Sequence, residues 1–332
     1  MTPITSTVLI ASFKRPNRLS ACLKAMTTQS VPPDEVLVVW QADDYETREV
    51  SEKLSKVTSI PIRTVHSPEA GIVPAENFGL NHSTGDVILL IDDDAIPEQD
   101  WVAKHLAHFR DSNVGAVGAS YTNFHTNGEQ FPERRPKDIG KITWYGRPVG
   151  FMFDHPIDWR ERRAIAVQHL AAGNMSLRRS AFATFNEELK PYWQLFEADA
   201  CLQVARKGYE VYFDFSNPVK HYPTGNIFDG RRSGNLELKI LNLAYNHALI
   251  LALYSPLYLY IPRLLYLLLI GSRHTPGLVG FFFSVFRYGD ISRELGILAR
   301  TLAAHVKGWS AGTRARLRSS PAWSSKRRTG PF

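Results

Sequence analysis

Three consecutive carboxylates, Asp92, Asp93 and Asp94, directly follow the apolar run Val87–Ile91. Like charges this close together repel one another, so a buried arrangement needs a cation to offset the cost. Carboxylate oxygens suit Mg²⁺ or Mn²⁺, which binds one or two protein carboxylates together with phosphate oxygens. The run therefore predicts a divalent-metal site that holds a diphosphate. The alternative is a solvated acidic turn that caps the next helix.

Three further places in the sequence have residues that suit a group-transfer reaction. Glu197 and Asp199 stand at the start of a predicted helix, where they either act as a general base for a hydroxyl or cap the helix. The pair Gly173 and Asn174 allows a close backbone approach to a ligand, or a simple turn. His221 follows a predicted strand; it is a metal ligand or diphosphate contact if it lies near the acidic run, and a structural histidine otherwise.

These residues need a scaffold, and the first half of the chain alternates strand-like and helix-like segments. Stretches with helical spacing separate four apolar runs: Thr7–Ala11, Val36–Trp40, Ile62–His66 and Val87–Ile91. The alternation predicts an α/β fold with a doubly wound, mostly parallel sheet and right-handed crossovers. Because ligands bind beyond the carboxyl ends of parallel strands, the polar side chains after these runs should gather at one rim.

Charge separates the C-terminal part from the rest of the 332 residues. From Arg263 onward there are twelve Lys and Arg and two acids, a formal charge of +10 that leaves −3 for the remainder. A basic, aromatic-rich end predicts an anionic partner surface, and the apolar runs beside it favour lipid over nucleic acid.

The two cysteines, Cys22 and Cys201, form no disulfide framework and fit a reducing cytosol. We expect no signal peptide, since the first residues lack a charged segment and a long apolar segment.

The apolar run Leu249–Gly271 is long enough to cross a bilayer, which takes about 20 residues. Pro256, Pro262 and Arg263 interrupt it, and a charge near the centre of a span is costly. We therefore expect this run and Gly277–Phe286 to form helices in the membrane interface, assisted by the basic tail acting on anionic lipid. The alternative is a helical cap packed on the catalytic domain.

Three segments and a location follow from these patterns. We predict a catalytic α/β domain over residues 1–235, an apolar, helical, membrane-associating region over 236–310, and a basic, flexible tail over 311–332. The expected location is cytoplasmic, with the protein bound peripherally to the inner face of the plasma membrane.

As a set, the motifs resemble glycosyltransferase family 2, a large inverting family with the GT-A fold. The segment Gly71–Asp94 resembles the family's G-x-x-x-A-R-N-x-G-L…G-D…L-D-D-D pattern, and Val8–Arg15 resembles its opening strand and turn. Ala171–Arg179 is similar to the G-G-N-M-x-x-R-R segment, and Glu197–Tyr209 is similar to the E-D-x-D-L…R-x-G-Y helix. The resemblance covers about residues 5–250 and implies a GT-A domain with a C-terminal helical, membrane-associated extension.

The resemblance implies an inverting transfer of a sugar from a nucleoside-diphosphate sugar to a hydroxyl of a glycan or lipid-linked acceptor, as in polysaccharide or glycolipid biosynthesis. Mn²⁺ or Mg²⁺ would be the cofactor, held by Asp92, Asp94 and His221. Glu197 falls at the position of the general base, with Asp199 as the alternative. Acceptor-binding residues would be Asn174 and Trp193, and donor-binding residues would be Ser12, Phe13, Arg15, Asp43, Asn77 and Asp93.

Several positions depart from the family pattern. Glu76 stands where the family often has Arg, Glu197 replaces the usual Asp, and the second strand ends in Trp-Gln, which leaves Asp43 and Asp44 to replace the missing acids. These departures keep open a catalytically inactive, membrane-associated module that binds sugar nucleotides. A nucleotidyltransferase is the other rival, but that class is expected to carry a Gly-rich basic loop after the first strand, and Phe13–Asn17 contains no glycine.

Overall fold

A computed structural model describes residues 3–125, 127–130, 138–150, 164–191, 195–223, 236–272 and 275–318. The contacts divide the chain into two units. The first comprises Met1–Lys141, Pro148–Asn186 and Glu197–Gly225, and the second comprises Ile142–Arg147, Glu187–Phe196 and Asn226–Phe332. The domain boundary predicted after residue 235 and the predicted acceptor contact Trp193 both lie outside the described residues.

A nine-stranded sheet forms the first unit. Its strands are β1 (Ser6–Ser12), β2 (Glu35–Gln41), β3 (Ile62–Ser67), β4 (Val87–Ile91), β5 (Ala95–Pro97), β6 (Val114–Asn123), β9 (Ala164–Ala166), β10 (Asn174–Arg178) and β11 (Glu210–His221). The short strands β7 (Lys141–Ile142) and β8 (Pro148–Val149) are separate from it. The helices are α1 (Pro16–Met26), α2 (Tyr45–Ser55), α3 (Ile72–His82), α4 (Trp101–His108) and α5 (Phe196–Arg206).

The strand order is β3-β2-β1-β4-β10-β6-β11-β5, and β9 pairs with β11. Strands β3, β2, β1 and β4 run parallel to one another, whereas β10 enters antiparallel between β4 and β6. Strands β1, β2 and β4 are continuous apolar runs because both faces of the sheet are covered, and nearly all their residues are buried. The predicted α/β fold with its mostly parallel sheet is confirmed.

Helix α3 packs unusually close to the sheet. A Cβ atom added to Gly79 would lie 2.3 Å from Leu9 Cδ1 and 2.8 Å from Val39 Cγ2, so this position needs glycine. Two residues earlier, the Asn77 amide donates to the Phe185 carbonyl (2.9 Å) and accepts from the Phe185 N–H (2.8 Å). These contacts fix both the depth and the rotation of α3, and with them the side chains that it presents.

Four helices make up most of the described second unit: α6 (Leu236–Tyr254), α7 (Leu257–Leu269), α8 (Leu278–Tyr288) and α9 (Ile291–Arg318). Helix α6 lies against α9, where Cβ atoms on Gly308 and Gly312 would be 2.1 Å from the Tyr245 carbonyl oxygen and 2.2 Å from that of Leu249. Helix α9 extends to Arg318, into the segment predicted as a flexible tail, and residues 319–332 lie outside the described part.

The apolar run Leu249–Gly271 is divided between α6 and α7. Pro256 separates the helices, and Arg263, although buried, donates to the Trp144 carbonyl and to Ser255 Oγ (both 2.9 Å). Its charge is therefore solvated by polar atoms of the same unit. Over the residues that the structure describes, every helix is too short or too polar to cross a bilayer.

Replacing Gly79 with Ala should lower the free energy of unfolding by about 1–2 kcal/mol. Overpacking against Leu9 and Val39 costs about 1–3 kcal/mol and outweighs the better helix propensity of Ala. Asn81→Ala, at an exposed position of the same helix, is the control and should change the value by less than about 0.5 kcal/mol. Urea unfolding followed by circular dichroism measures both, and equal stabilities for the two variants would contradict the close packing of α3.

Candidate active site

The acidic run lies at the carboxyl end of β4 and is neutralised in part by Arg15. The guanidinium lies 2.8 Å from Asp93 Oδ1 through one nitrogen and 2.7 Å from Asp94 Oδ2 through the other. Ser12 Oγ donates to Asp93 Oδ2 at 2.7 Å. These contacts follow from the parallel register of β1 and β4, which pairs Leu9 with Leu90 and so brings the residues three positions further on together.

The three carboxylates differ in exposure and therefore in the role open to them. The side chain of Asp93 is fully buried, that of Asp94 is 4% exposed and that of Asp92 is 38% exposed. Burial raises the pKa of Asp93 above its usual range, as do the charges of Asp94 and Asp92, against the lowering effect of Arg15 and Ser12. Asp93 thus serves to hold Arg15 in place, Asp94 lies between Arg15 and His221, and Asp92 is the one carboxylate of the three that is substantially exposed at the rim.

His221 completes a cluster with these two carboxylates. Its Nε2 lies 3.2 Å from Asp94 Oδ1 and 3.7 Å from Asp92 Oδ2, and its Nδ1 is 2.7 Å from Asn123 Oδ1. Nδ1 donates to the amide oxygen, and Nε2 donates to the carboxylate of Asp94 when the imidazole is charged; when Nε2 loses its proton, its lone pair becomes free to bind a metal. Burial opposes the charged imidazole, but the hydrogen bond to Asp94 and the charges of Asp94 and Asp92 raise the pKa of His221 above its ordinary value.

Asp92, Asp94 and His221 fit a divalent cation. Each offers one ligand atom, and these atoms all lie within 4.8 Å of one another. Two carboxylate oxygens and an imidazole nitrogen form a donor set typical of first-row divalent metals. The interaction of Asn123 with the far nitrogen of His221 is the outer contact that orients a histidine ligand. The structure thus brings together the residues that the sequence predicted for the metal.

Gly173 and Asn174 lie beside the cluster and have different roles. A Cβ atom on Gly173 would lie 2.1 Å from Asp92 Oδ2 and 2.6 Å from the Tyr121 hydroxyl, so glycine makes room for both. Asn174 is buried; its Oδ1 accepts from Trp101 Nε1 (2.9 Å), and its Nδ2 donates to two main-chain carbonyls (3.0 Å each). These bonds hold β10 in place behind the site, and acceptor contact by Asn174 stays a prediction.

The turn between β1 and α1, residues 13–15, is held by polar contacts from the end of β2 and from the turn that follows it. Gln41, the last residue of β2, donates to the Ser12 carbonyl (3.3 Å) and accepts from the Gly71 N–H (2.8 Å), so one amide joins the end of β1 to the start of α3. Asp44 caps α2 and accepts from the Lys14 N–H, whereas Asp43 is exposed. The neutral Gln41 occupies the strand end where acids were expected.

Glu197 and Asp199 stand in the first turn of α5 but in different surroundings. Asp199 is fully buried and accepts from Gln203 Nε2 at 2.8 Å. Glu197 is partly exposed, and its charge acts on Tyr121: burial raises the pKa of Tyr121 first, followed by the charges of Asp92 and Glu197. The charges of Glu197 and Asp92 therefore act on the same Tyr121 hydroxyl.

Two further residues predicted to bind the donor, Phe13 and Asn77, lie in the turn after β1 and on α3. Phe13 is buried in the opening turn beside Ser12 and Arg15. The Asn77 amide is engaged by the Phe185 main chain, behind the rim. Three residues that the sequence did not predict as part of the site, Gln41, Tyr121 and Asn123, contact its members. Their residue types are common, and only the pairing of the strands gives them their positions.

Comparison with known proteins points to one family. A model of the family described as "Glycosyl transferase family 2" matches residues 7–185. Glycosyltransferase AglE of Haloferax volcanii is 26% identical over 129 residues, which are 38% of this chain and 42% of that protein. Succinoglycan biosynthesis protein ExoM of Rhizobium meliloti is 31% identical over 111 residues, 32% of this chain and 36% of that protein. The matched regions thus span less than half of either relative.

Solved structures share the fold over most of the chain. A mannosyltransferase of Pyrobaculum calidifontis, in complex with GDP-Man and Mn²⁺, has a TM-score of 0.57 and 15% identity, with coverage of 96% of this chain and 88% of that one. TarS of S. aureus, in complex with UDP-GlcNAc, has a TM-score of 0.57 and 13% identity, with coverage of 95% and 92%. At this level of identity the likeness establishes the fold, which is the GT-A fold.

Arg15→Met should lower the free energy of unfolding by about 1–3 kcal/mol, because the buried Asp93 loses its cation and must take up a proton or stay charged without a partner. The double variant Arg15→Met with Asp93→Asn should recover part of the loss. Lys24→Met, at an exposed position of α1, removes the same charge and should change stability by less than about 0.5 kcal/mol. Urea unfolding provides the measurement, and a loss for Arg15→Met no larger than that of Lys24→Met would show that the pairing is not needed.

Proposed function

The chain belongs to glycosyl transferase family 2, and on that premise we propose that it transfers a sugar, with inversion, from a nucleoside-diphosphate sugar to a hydroxyl of a glycan or lipid-linked acceptor. The observation that carries the proposal is the convergence of Asp92, Asp94 and His221 at the carboxyl end of the sheet, beside Arg15. The similar structures that contain GDP-Man with Mn²⁺ or UDP-GlcNAc support a sugar-nucleotide donor.

Asp92, Asp94 and His221 would hold the metal, and the imidazole favours Mn²⁺ over the more strictly oxygen-binding Mg²⁺. A bound divalent cation would neutralise the charge that develops on the departing diphosphate. Arg15 adds a fixed positive charge at the same rim, positioned by Asp93. Ser12 ends β1, Phe13 follows it, and the exposed Asp43 stands in the turn after β2; we propose that this part of the rim contacts the nucleoside.

Glu197 is the proposed general base, with Asp199 in a supporting position. The carboxylate of Glu197 takes the proton of the acceptor hydroxyl as its oxygen bonds to the anomeric carbon. The bond from that carbon to the diphosphate oxygen breaks on the opposite face, and the electron pair leaves with the diphosphate. Glu197 suits this role because it is partly exposed beside the acidic run, whereas Asp199 is buried and bonded to Gln203.

Glu197→Gln should lower kcat for release of nucleoside diphosphate by about 10²- to 10⁴-fold, because the amide cannot accept the proton. Binding of the donor should change little, since the amide keeps the shape of the side chain. The assay follows nucleoside diphosphate released from GDP-mannose, UDP-glucose and UDP-N-acetylglucosamine with Mn²⁺. Glu187→Gln, outside the acidic cluster, is the control and should behave as wild type.

Three outcomes of that assay would count against the proposal in different ways. Unchanged kcat in Glu197→Gln would assign the base elsewhere, and unchanged turnover in Asp94→Ala or after chelation of the metal would overturn the metal assignment. Donor binding with neither transfer nor hydrolysis would instead favour the rival function, a catalytically inactive module that binds sugar nucleotides.

We also propose that the second unit binds an anionic membrane surface, at the inner face of the plasma membrane. Large apolar side chains of α7 and α8 are exposed, among them Leu257, Tyr258, Ile261, Phe282, Phe283 and Phe286. Exposed apolar side chains this numerous on two successive helices are typical of an interaction site. The aromatic rings beside Arg287, together with the basic C-terminal sequence, match the interface of an anionic bilayer. A lipid-linked acceptor would make such binding useful for the transfer reaction.

Replacing Phe282, Phe283 and Phe286 together with Ser should weaken binding to vesicles of phosphatidylcholine and phosphatidylglycerol by about 100-fold or more, because each ring contributes about 1.5–3 kcal/mol when buried. Cosedimentation measures the affinity. Val57→Ser, which removes an exposed apolar side chain of the first unit, should leave it unchanged. Vesicle binding by the triple variant at the wild-type level would show that this surface does not contact lipid.

A further inference from the structure

Strand β11 loses its register with β6 shortly before it reaches His221. The pairing stops at Asp214 and resumes at Val219, so that residues 215–218 of β11 lie opposite a single residue of β6, Ser120. An insertion of this kind is a β-bulge, which bends the strand and redirects the side chains beyond it, and bulges are common next to active sites. The direction of His221 therefore depends on the shape of this bulge.

Beyond the bulge, residues 219–221 pair with strands on both sides. One partner is β6, at residues 121–123, and the other is β5, which begins directly after Asp94 and runs antiparallel to β11. The main-chain N–H of Tyr222 donates to the Asp94 carbonyl at 2.9 Å. These bonds place the imidazole of His221 beside the acidic run, with Nε2 at 3.2 Å from Asp94 Oδ1.

The side-chain amide of Asn174, in β10, connects the two strands at the bulge. Its Nδ2 donates to the main-chain carbonyls of Ser120 and Asn217, each at 3.0 Å. Ser120 belongs to β6, and Asn217 is one of the inserted residues of β11. Buried carbonyls need a donor, and here one side chain supplies it to both strands where their ladder is interrupted.

All four hydrogen-bonding positions of the Asn174 amide are in use. Besides the two donated bonds, its Oδ1 accepts from Trp101 Nε1 (2.9 Å) and from His105 Nε2 (3.2 Å). An indole N–H can only donate and a main-chain carbonyl can only accept, so these partners determine the orientation of the amide. The residue is fully buried. Its contacts argue against the acceptor contact that the sequence predicted for it.

Helix α4 also supports the bulge. Lys104 Nζ donates to the Ser216 carbonyl (2.8 Å), and Asn217 Nδ2 donates to the Trp101 carbonyl (3.1 Å). Within the bulge, Asp214 Oδ1 accepts from the N–H (2.8 Å) and the hydroxyl (2.7 Å) of Ser216. The inserted residues are thus held by specific polar contacts, of which the two from Asn174 are the ones that join β11 to β6.

We propose that Asn174 is a positioning residue of the metal site, which holds the bulge of β11 in the shape that brings His221 to Asp92 and Asp94; this inference rests on the metal assignment proposed above. Contacts outside the ligands themselves change metal affinity by about 10- to 100-fold. A residue that bound only the acceptor would leave the affinity for the metal unchanged. Binding of Mn²⁺ in the absence of acceptor therefore separates the two roles.

The experiment measures the affinity of the full chain for Mn²⁺ by electron paramagnetic resonance, which detects the free ion. The variants are Asn174→Ala, His221→Ala and the double variant. Asn246→Ala is the matched control, because Asn246 is also fully buried and its amide bonds to the Lys190 main chain through both atoms (2.7 and 3.1 Å), in the second unit. Circular dichroism shows whether each variant folds.

Asn174→Ala should bind Mn²⁺ about 10- to 100-fold more weakly than wild type, whereas Asn246→Ala should match wild type. In the His221→Ala background the same change at Asn174 should cost less than about 3-fold, because the ligand that it positions is gone. Pulsed measurements on wild type should show the coupling of Mn²⁺ to an imidazole nitrogen. This coupling should weaken in Asn174→Ala and disappear in His221→Ala.

A second variant, Asn217→Ala, tests the same bulge without altering β10, and it decides the question if Asn174→Ala does not fold. It removes the bond from the bulge to the Trp101 carbonyl. The expected loss of Mn²⁺ affinity is about 3- to 10-fold, the effect of one hydrogen bond, and it should again be confined to chains that contain His221.

The contrary results differ in what they overturn. Equal affinity of wild type and Asn174→Ala for Mn²⁺ would refute the positioning role, and so would a loss of the same size in the His221→Ala background. Absence of Mn²⁺ binding by wild type, alone or with UDP or GDP, would instead overturn the metal assignment on which the inference rests.

Discussion

The pairing of Arg15 with Asp93 and Asp94 is the interaction on which the rest of the site depends. Three adjacent carboxylates at a strand end would repel one another, and Asp93 is fully buried. Arg15 offsets this cost from the neighbouring strand, and its two nitrogens reach two different carboxylates. As a result, Asp92 and one oxygen of Asp94 are directed towards His221, where they can serve a metal.

Strand order explains why distant parts of the sequence supply this arrangement. The parallel pairing of β1 with β4 aligns Ser12 and Arg15 with the acidic run, and the pairing of β11 with β6 places His221 opposite Asn123. The antiparallel strand β10 between the two parallel groups brings Gly173 against Asp92. Each half of the site is thus fixed by main-chain hydrogen bonds, which hold the side chains in place before any ligand binds.

Much of this could be predicted from sequence because the signals are local. The buried strands are apolar runs, and the acids stand directly after one of them, so the fold class and an acidic metal site could be predicted from pattern. The choice of Asp92, Asp94 and His221 as candidate ligands came from the family resemblance. Gln41, Tyr121 and Asn123 could not be found in this way, because their roles depend on partners that are distant along the chain. The burial of Arg263 was equally hidden, since its acceptors, Ser255 and Trp144, are identified only once α7 is placed.

The departures from the family pattern gain a physical meaning when they are considered together. The end of β2 carries a neutral Gln41 where acids are usual, and α3 carries Glu76 where a cation is usual. A carboxyl is thereby lost at the end of β2 and gained on α3, where burial and the charges of Asp92 and Glu197 raise the pKa of Glu76 and favour its neutral form. The neutral amide keeps the turn closed through Ser12 and Gly71, so the scaffold tolerates the exchange. A buried carboxyl oxygen that has no partner among the described residues weakens the fold, so α3 has to be held by its other contacts, the bonds of the Asn77 amide to Phe185 and the close packing at Gly79.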